Sequence, residues 1–103
     1  NGIDVNESNL VSITRNDVTG AGNIGIKVLK GSLILVDDNT VIGTGSDGIQ
    51  VSDGNLIQIS YNDVTGTGGD GVDVSKVNGL DAHNNTILGS VGYGIRATDI
   101  TVG

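Results

Sequence analysis

The chain repeats itself every 23 residues along its whole length. Glycine occupies one position of the repeat five times, at Gly2, Gly25, Gly48, Gly71 and Gly94. The next position is aliphatic in every repeat, at Ile3, Ile26, Ile49, Val72 and Ile95. A fixed period of this kind is the signature of a repeat architecture, in which each unit buries its apolar side only against its neighbours.

Each unit contains three short segments with the alternation of a β-strand that is buried on one face. In the first unit these segments lie at residues 3–5, at residues 11–13 and around Val18. No stretch of about ten residues carries the helical period of 3.6. We therefore predict an all-β fold, a parallel β-helix of about 4.5 coils of 23 residues with three short parallel strands per coil. Crossovers between parallel strands are almost always right-handed, so the coil should be right-handed.

Composition and charge exclude several classes of function. The sequence has 18 Gly, no Cys, and 12 acidic against 5 basic residues, for a net charge of −7. A nucleic-acid partner would need clustered Lys and Arg, so we expect none. The longest apolar run, residues 33–36, is too short to span a bilayer, so we expect no membrane insertion. We interpret residues 1–103 as a single repeat segment that begins and ends in mid-coil, as part of a longer solenoid.

Charges follow the same register as the apolar residues. One column alternates in sign at every coil, through Glu7, Lys30, Asp53, Lys76 and Asp99. Lys27 falls over Asp4, and Arg96 falls over Asp73, in the same way. Opposite charges on adjacent strands attract, so these columns should help to hold the coils in register. No basic patch is left over to bind an anionic substrate.

Two acidic residues stack without a basic neighbour. Asp47 and Asp70 are successive members of one column, in a turn rich in glycine. Two carboxylates at this spacing repel unless a cation or a proton lies between them. Ca²⁺ is bound by carboxylate and carbonyl oxygens, and open glycine turns expose carbonyls. We expect no cofactor to be required, and if a metal binds, we expect Ca²⁺ at Asp47 and Asp70; the alternative is a solvated acidic turn.

The segment DGIQVSDGNLIQISYNDVTGTG, residues 47–68, resembles the parallel β-helix repeats of the pectate-lyase-like superfamily. It is most similar to the carbohydrate-binding and sugar-hydrolase type repeats of NosD-like proteins, C-5 epimerases and large bacterial surface proteins. The resemblance covers the entire chain and implies the β-helix fold. It also implies that the asparagine column forms a hydrogen-bonded ladder in a left-handed turn; its members are Asn16, Asn39, Asn62 and Asn85.

Candidate catalytic residues are few. Asp81 and the only histidine, His83, should lie on the outer face of one strand, where they could form an acid–base pair or simply a solvated polar pair. The segment VGYGIRAT, residues 91–98, resembles a catalytic segment of alginate-type C-5 epimerases. Arg96 and Thr98 stand where that resemblance would require aspartate and histidine. We therefore assign no catalytic residue.

Two hypotheses of different classes follow. The first is a structural repeat module of a secreted or cell-surface protein, a rigid stalk, adhesin or filament segment without catalytic activity of its own. The second is the scaffold of a polysaccharide lyase or C-5 epimerase that lacks its catalytic coil. The expected location is extracellular or at the cell surface. The expected partners are flanking coils of a longer chain or further copies joined end to end through exposed apolar columns (Ile3, Val5 and Val11 at one end; Ile95, Ala97 and Val102 at the other), with a surface glycan as a further partner.

Overall fold

The computed structural model describes residues 1–101 and shows a coil of short parallel strands. The strands are β1 (Ile3–Asn6), β2 (Asn9–Thr14), β3 (Asp17–Thr19), β4 (Ile26–Leu29), β5 (Ser32–Asp37), β6 (Thr40–Ile42), β7 (Ile49–Ser60), β8 (Asp63–Thr65), β9 (Val72–His83), β10 (Thr86–Leu88) and β11 (Ile95–Thr101). Within the described residues no helix is long and apolar enough to cross a membrane. The prediction of an all-β parallel coil is confirmed.

Strands pair with the strand one coil later, and the register step is the sequence period. Ile26 of β4 lies beside Ile49 of β7, and Ile49 lies beside Val72 of β9. A four-stranded parallel sheet, in the order β10-β8-β6-β3, forms one face of the coil. A seven-stranded parallel sheet in the order β1-β4-β7-β5-β2, extended by β9 and β11, forms the remainder.

The structure differs from the prediction in how the first two strands of a coil are joined. In the first two coils they are separate, but in the next two they merge into the 12-residue strands β7 and β9. The bend is made inside β7 by two residues in the left-handed region, Asp53 and Leu56, both with φ of 56°. Pairing between coils survives this bend, and so one hydrogen-bonded sheet covers two faces of the coil.

Aliphatic side chains from all three faces fill the interior. The fully buried ones, each less than 2% exposed, are Ile26, Ile34, Ile49, Ile59, Val28, Val36, Val41, Val51, Val64, Val72, Val74 and Val77. Ile49 and Val51 both point inward, as alternation within a strand requires. The core therefore consists of stacked columns of identical or similar residues, one from each coil.

The asparagine column forms the expected ladder. The side-chain amide of Asn39 donates to Oδ1 of Asn62 at 3.0 Å, and the backbone N–H of Asn39 donates to the same oxygen at 3.0 Å. The expectation that the asparagines themselves adopt the left-handed conformation is wrong. The residues before them do so, with φ between 54° and 57°; they are Arg15, Asp38, Tyr61 and Asn84. The residue before each asparagine bends the chain, and the backbone N–H of the asparagine then points along the stack toward the next coil.

The charged columns keep their register, but most of their members do not touch. Lys30 Nζ lies 3.9 Å from Glu7 Oε1, and this is the one lysine or arginine contact with a carboxylate within 4.0 Å in residues 1–101. Lys27 is the register neighbour of Asp4 without such a contact. Exposed ion pairs of this kind contribute about 0–1 kcal/mol.

The two ends of the coil differ in exposure. Ile3, Val5 and Val11 are half-buried and pack against the core from one end. At the other end Ile95 is 47% exposed and Ala97 is exposed too. Val102, also predicted to be exposed at that end, lies outside the described residues.

Truncating a core column should destabilise the coil strongly. Ile59 is fully buried, and Ile59→Ala should lower the free energy of unfolding by about 2–5 kcal/mol, because a cavity is left in a stack that cannot collapse. The matched control is Ile42→Ala, since Ile42 is 43% exposed and should lose about 1 kcal/mol or less. Urea unfolding of both variants measures the difference, and equal losses would contradict the described packing.

Candidate functional site

The turn that precedes the first strand of each coil carries the two predicted ligands. Asp47 and Asp70 are each only 8% exposed. Oδ1 of Asp47 accepts the backbone N–H of Asp70 at 2.8 Å, and Oδ1 of Asp70 accepts the backbone N–H of Tyr93 at 2.8 Å. Each carboxylate is thus held in place by a backbone amide of the next coil.

Glycine makes room for these carboxylates. A Cβ atom on Gly69 would lie 2.6 Å from Oδ1 of Asp47, and one on Gly92 would collide with Oδ1 of Asp70. Contacts this short do not occur with real Cβ atoms, so a larger residue would push the carboxylate away. Glycine at positions 69 and 92 is therefore needed for the carboxylates of Asp47 and Asp70 to reach the amides of the next coil.

A third carboxylate lies in the site because two positions of the repeat, three residues apart, hold an amide and a carboxylate in some coils but two carboxylates in the fourth coil. In the first coil the side-chain amide of Asn1 donates to Oδ2 of Asp4 at 2.9 Å, three residues on. In the third coil the two positions exchange roles, and the amide of Gln50 donates to Oδ2 of Asp47, three residues before it, at 2.9 Å. In the fourth coil the pair consists of Asp70 and Asp73, so an amide is replaced by a second carboxylate.

Asp47, Asp70 and Asp73 bring carboxylate oxygens within 4.8 Å of one another. Burial raises the pKa of Asp73, and the negative charges of Asp47 and Asp70 raise it further, whereas the guanidinium of Arg96 opposes the shift. Three clustered hard oxygens suit Ca²⁺ or Mg²⁺ better than a soft metal, although two of them already accept backbone amides. The ligand set predicted from the sequence thus remains a prediction, and the structure adds Asp73 to it.

The sequence pattern did not identify Asp73, because a residue of opposite charge, Arg96, stands one period after it. The two are register neighbours in β9 and β11, but no contact within 4.0 Å joins them in the described residues. The guanidinium of Arg96 lies over the ring of Tyr93, 5.9 Å from its centre. The signal that could have identified Asp73 is its distance of three residues from Asp70, which matches the distance of Gln50 from Asp47.

A second cluster lies on the outer face of β9. Nδ1 of His83 is 2.8 Å from Oδ1 of Asp81, and the His83 ring meets the Tyr61 ring edge to face with 5.8 Å between centres. A carboxylate that orients an imidazole is the arrangement of a general base. The Ser60 hydroxyl, on the neighbouring strand, donates instead to Oδ1 of Asp37 at 2.8 Å. The hydroxyl of Ser60, the register neighbour of His83, is therefore directed toward Asp37 rather than toward the His83 ring.

The pair also lies open to solvent. The side chains of His83 and Asp81 are 41% and 66% exposed. Electrostatic catalysis depends on a site from which water is excluded. The geometry of His83 and Asp81 allows proton exchange with solvent, but it offers no enclosure for a substrate.

One comparison with known proteins identifies the architecture. A family model described as "Right handed beta helix region" matches residues 1–101. No curated protein and no solved structure matches the chain.

The clustered carboxylates should make stability depend on pH through Asp73. Since the pKa of Asp73 is raised on folding, its protonation stabilises the folded state below the unfolded pKa of about 3.9. That contribution is lost as the pH rises through the raised folded pKa. Asp73→Asn should therefore melt at a higher temperature than the wild type at pH 7, with a smaller difference at pH 3.

Melting curves between pH 3 and pH 8 measure this effect. Asp63→Asn is the matched control, because Asp63 is an exposed aspartate on β8. An Asp73→Asn variant that tracks the wild type at every pH would contradict the proposed repulsion.

If Ca²⁺ binds the folded chain, it should bind at Asp47, Asp70 and Asp73. Binding to the folded state alone raises stability with the logarithm of free calcium. Millimolar Ca²⁺ should then raise the melting temperature of the wild type and of Asp63→Asn, but not that of Asp70→Asn. An unmoved melting temperature, or a shift that persists in Asp70→Asn, would eliminate the site.

Proposed function

Since the chain belongs to the right-handed β-helix family, we propose that it is a structural repeat module, a rigid segment of a stalk, adhesin or filament in a secreted or cell-surface protein. The observation that carries the proposal is the uninterrupted register. Ile3, Ile26, Ile49, Val72 and Ile95 are joined by successive strand pairs, with no loop inserted between coils. A uniform cross-section suits a spacer better than an enzyme, which needs a cleft.

Polar interactions add stiffness to this cross-section. The buried side chains of Asn39 and Asn62 bond to the coils on both sides of them. At another corner the carboxylates of Asp47 and Asp70 each accept a backbone N–H of the following coil. Buried groups that are fully hydrogen-bonded resist displacement, because each broken bond leaves an unsatisfied polar atom. Bending the rod would break bonds at two corners at once.

Flanking coils, or further copies joined end to end, are the proposed partners. Within residues 1–101 the strand β11 pairs with β9 on one edge and with no strand on the other, and Ile95 at the start of β11 is 47% exposed. Open strand edges are templates for further pairing. A surface glycan is the alternative partner, for which exposed Tyr61 and Tyr93 are the aromatic residues at hand.

The alternative function is the scaffold of a polysaccharide lyase or C-5 epimerase. The hydrogen bond between His83 and Asp81 favours it, since an oriented imidazole is a ready proton acceptor. In such a protein the cleft and the remaining catalytic groups would come from other coils. Arg96 and Thr98 leave the epimerase-like segment without its acid and base.

Lengthening the rod tests the structural proposal. Duplicating residues 49–71, one full period, should extend the long axis of 33 Å by about 4.8 Å and keep a single cooperative transition with an equal or higher melting temperature. Duplicating residues 49–60 alone is the control, since half a coil cannot restore the register and should destabilise the chain. Small-angle scattering and calorimetry measure both.

An enzymatic assay addresses the alternative. Pectate, alginate and a neutral glycan should yield no product with the wild-type segment. Product release that disappears in His83→Ala would support the lyase or epimerase scaffold and overturn the structural proposal.

A further inference from the structure

In the first three coils an exposed column of leucines lies at the bend where the second face of the coil begins. Leu10, Leu33 and Leu56 are 75%, 49% and 57% exposed, and their φ angles are 55°, 51° and 56°. The left-handed region is unfavourable for a residue with a bulky side chain, and burial in the core does not compensate for it here. The fourth coil has Gly79 at this position, with φ of 82°, where glycine is unstrained.

The column is broken where Gly79 replaces leucine. A shallow depression of about 520 Å³ opens beside it on the outer face of the coil. Its walls include the side chains of Leu33, Leu35, Leu56 and Gln58. The face thus carries an exposed leucine in the first coil and, across the following three coils, a depression that reaches Gly79 in the fourth.

We propose that this face binds a second copy of the chain, side by side and antiparallel, about a twofold axis that runs along the strands. Such an axis keeps each column opposite itself and reverses the order of the coils. Leu10 then enters the depression at Gly79 of the partner subunit, and Leu33 packs against Leu56 of the partner subunit. The same face supplies both knob and hole, as an isologous contact requires.

The charged column on the same bend selects the antiparallel orientation. Glu7, Lys30, Asp53 and Lys76 are all exposed, and each precedes the leucine-column residue of its coil by three positions. Reversing the coils sets Glu7 opposite Lys76 of the partner subunit and Lys30 opposite Asp53 of the partner subunit. A parallel pair that brought this column opposite itself would instead set like charges against each other in every coil, Asp99 of the fifth coil included. Charge complementarity of this kind fixes orientation more than it adds affinity.

The size of the face indicates a weak, closed dimer. The rod measures 33 Å by 21 Å in side view, whereas stable interfaces bury about 800 Å² on each partner. The contact proposed here covers only part of that side. The net charge of −7 on each copy also opposes association, so the dimer should form at high protein concentration.

Sedimentation equilibrium of the wild-type chain over a wide concentration range should show a monomer–dimer equilibrium. Leu10→Gly should weaken the dimer by about tenfold or more, because it removes the knob, while relieving backbone strain and leaving the melting temperature at or above that of the wild type. Gly79→Leu, which fills the hole, should also weaken it. The control is Leu88→Ala on β10, in the other sheet, where a leucine that is 61% exposed should be dispensable.

Orientation can be tested by disulfide trapping, since the chain has no cysteine of its own. A mixture of Leu33→Cys and Leu56→Cys should form the mixed disulfide in excess over either homodimer, whereas a parallel pair would favour the homodimers. The proposal is overturned if the chain stays monomeric at every concentration, or if homodimers dominate. Open-ended growth that persists in Leu10→Gly would also overturn it and would indicate end-to-end association.

Discussion

The structure depends on the backbone hydrogen bonds that join each coil to the next. The N–H of Ile26 donates to the carbonyl of Gly48 at 2.8 Å, and the N–H of Ile49 donates to the carbonyl of Gly71 at 2.9 Å. These bonds are satisfied only when successive coils have equal length. A slip of one residue would turn each inward side chain outward, because side chains alternate along a strand. Equal coil length is therefore the constraint from which the core columns and the polar ladders both follow.

Glycine enforces this constraint at the start of each coil. A Cβ on Gly48 would lie 2.6 Å from the carbonyl oxygen of Gly71, and one on Gly25 would lie 2.6 Å from that of Gly48. Any larger residue would force neighbouring coils apart at that corner. The glycine column is thus needed for close approach of backbones rather than for an unusual backbone angle.

The sequence predicted those parts of the structure that depend on periodicity, and it failed where local geometry decides. Columns of aliphatic residues were enough to predict the coil, its register and the inward direction of Ile49 and Val51. They could not show that the strand continues through the bend at Asp53, because a left-handed residue normally ends a strand. The alternation pattern also predicts on which face of the strand a side chain lies, but not which neighbouring groups it contacts. For that reason it did not show that Asp73 extends toward Asp47 and Asp70 rather than toward Arg96.

The asparagine ladder gives the rod a direction. Each amide donates to the oxygen of the asparagine one coil later, so the amide dipoles of Asn16, Asn39, Asn62 and Asn85 point the same way. Aligned dipoles polarise one another and sum along the axis, as peptide dipoles do in a helix. In this segment the ladder starts at one end with an acceptor oxygen on Asn16 and finishes at the other with donor hydrogens on Asn85. If a coil were added in the opposite orientation, its asparagine donors would face the donors of Asn85. The asparagine ladder can therefore be extended only by coils in the same orientation.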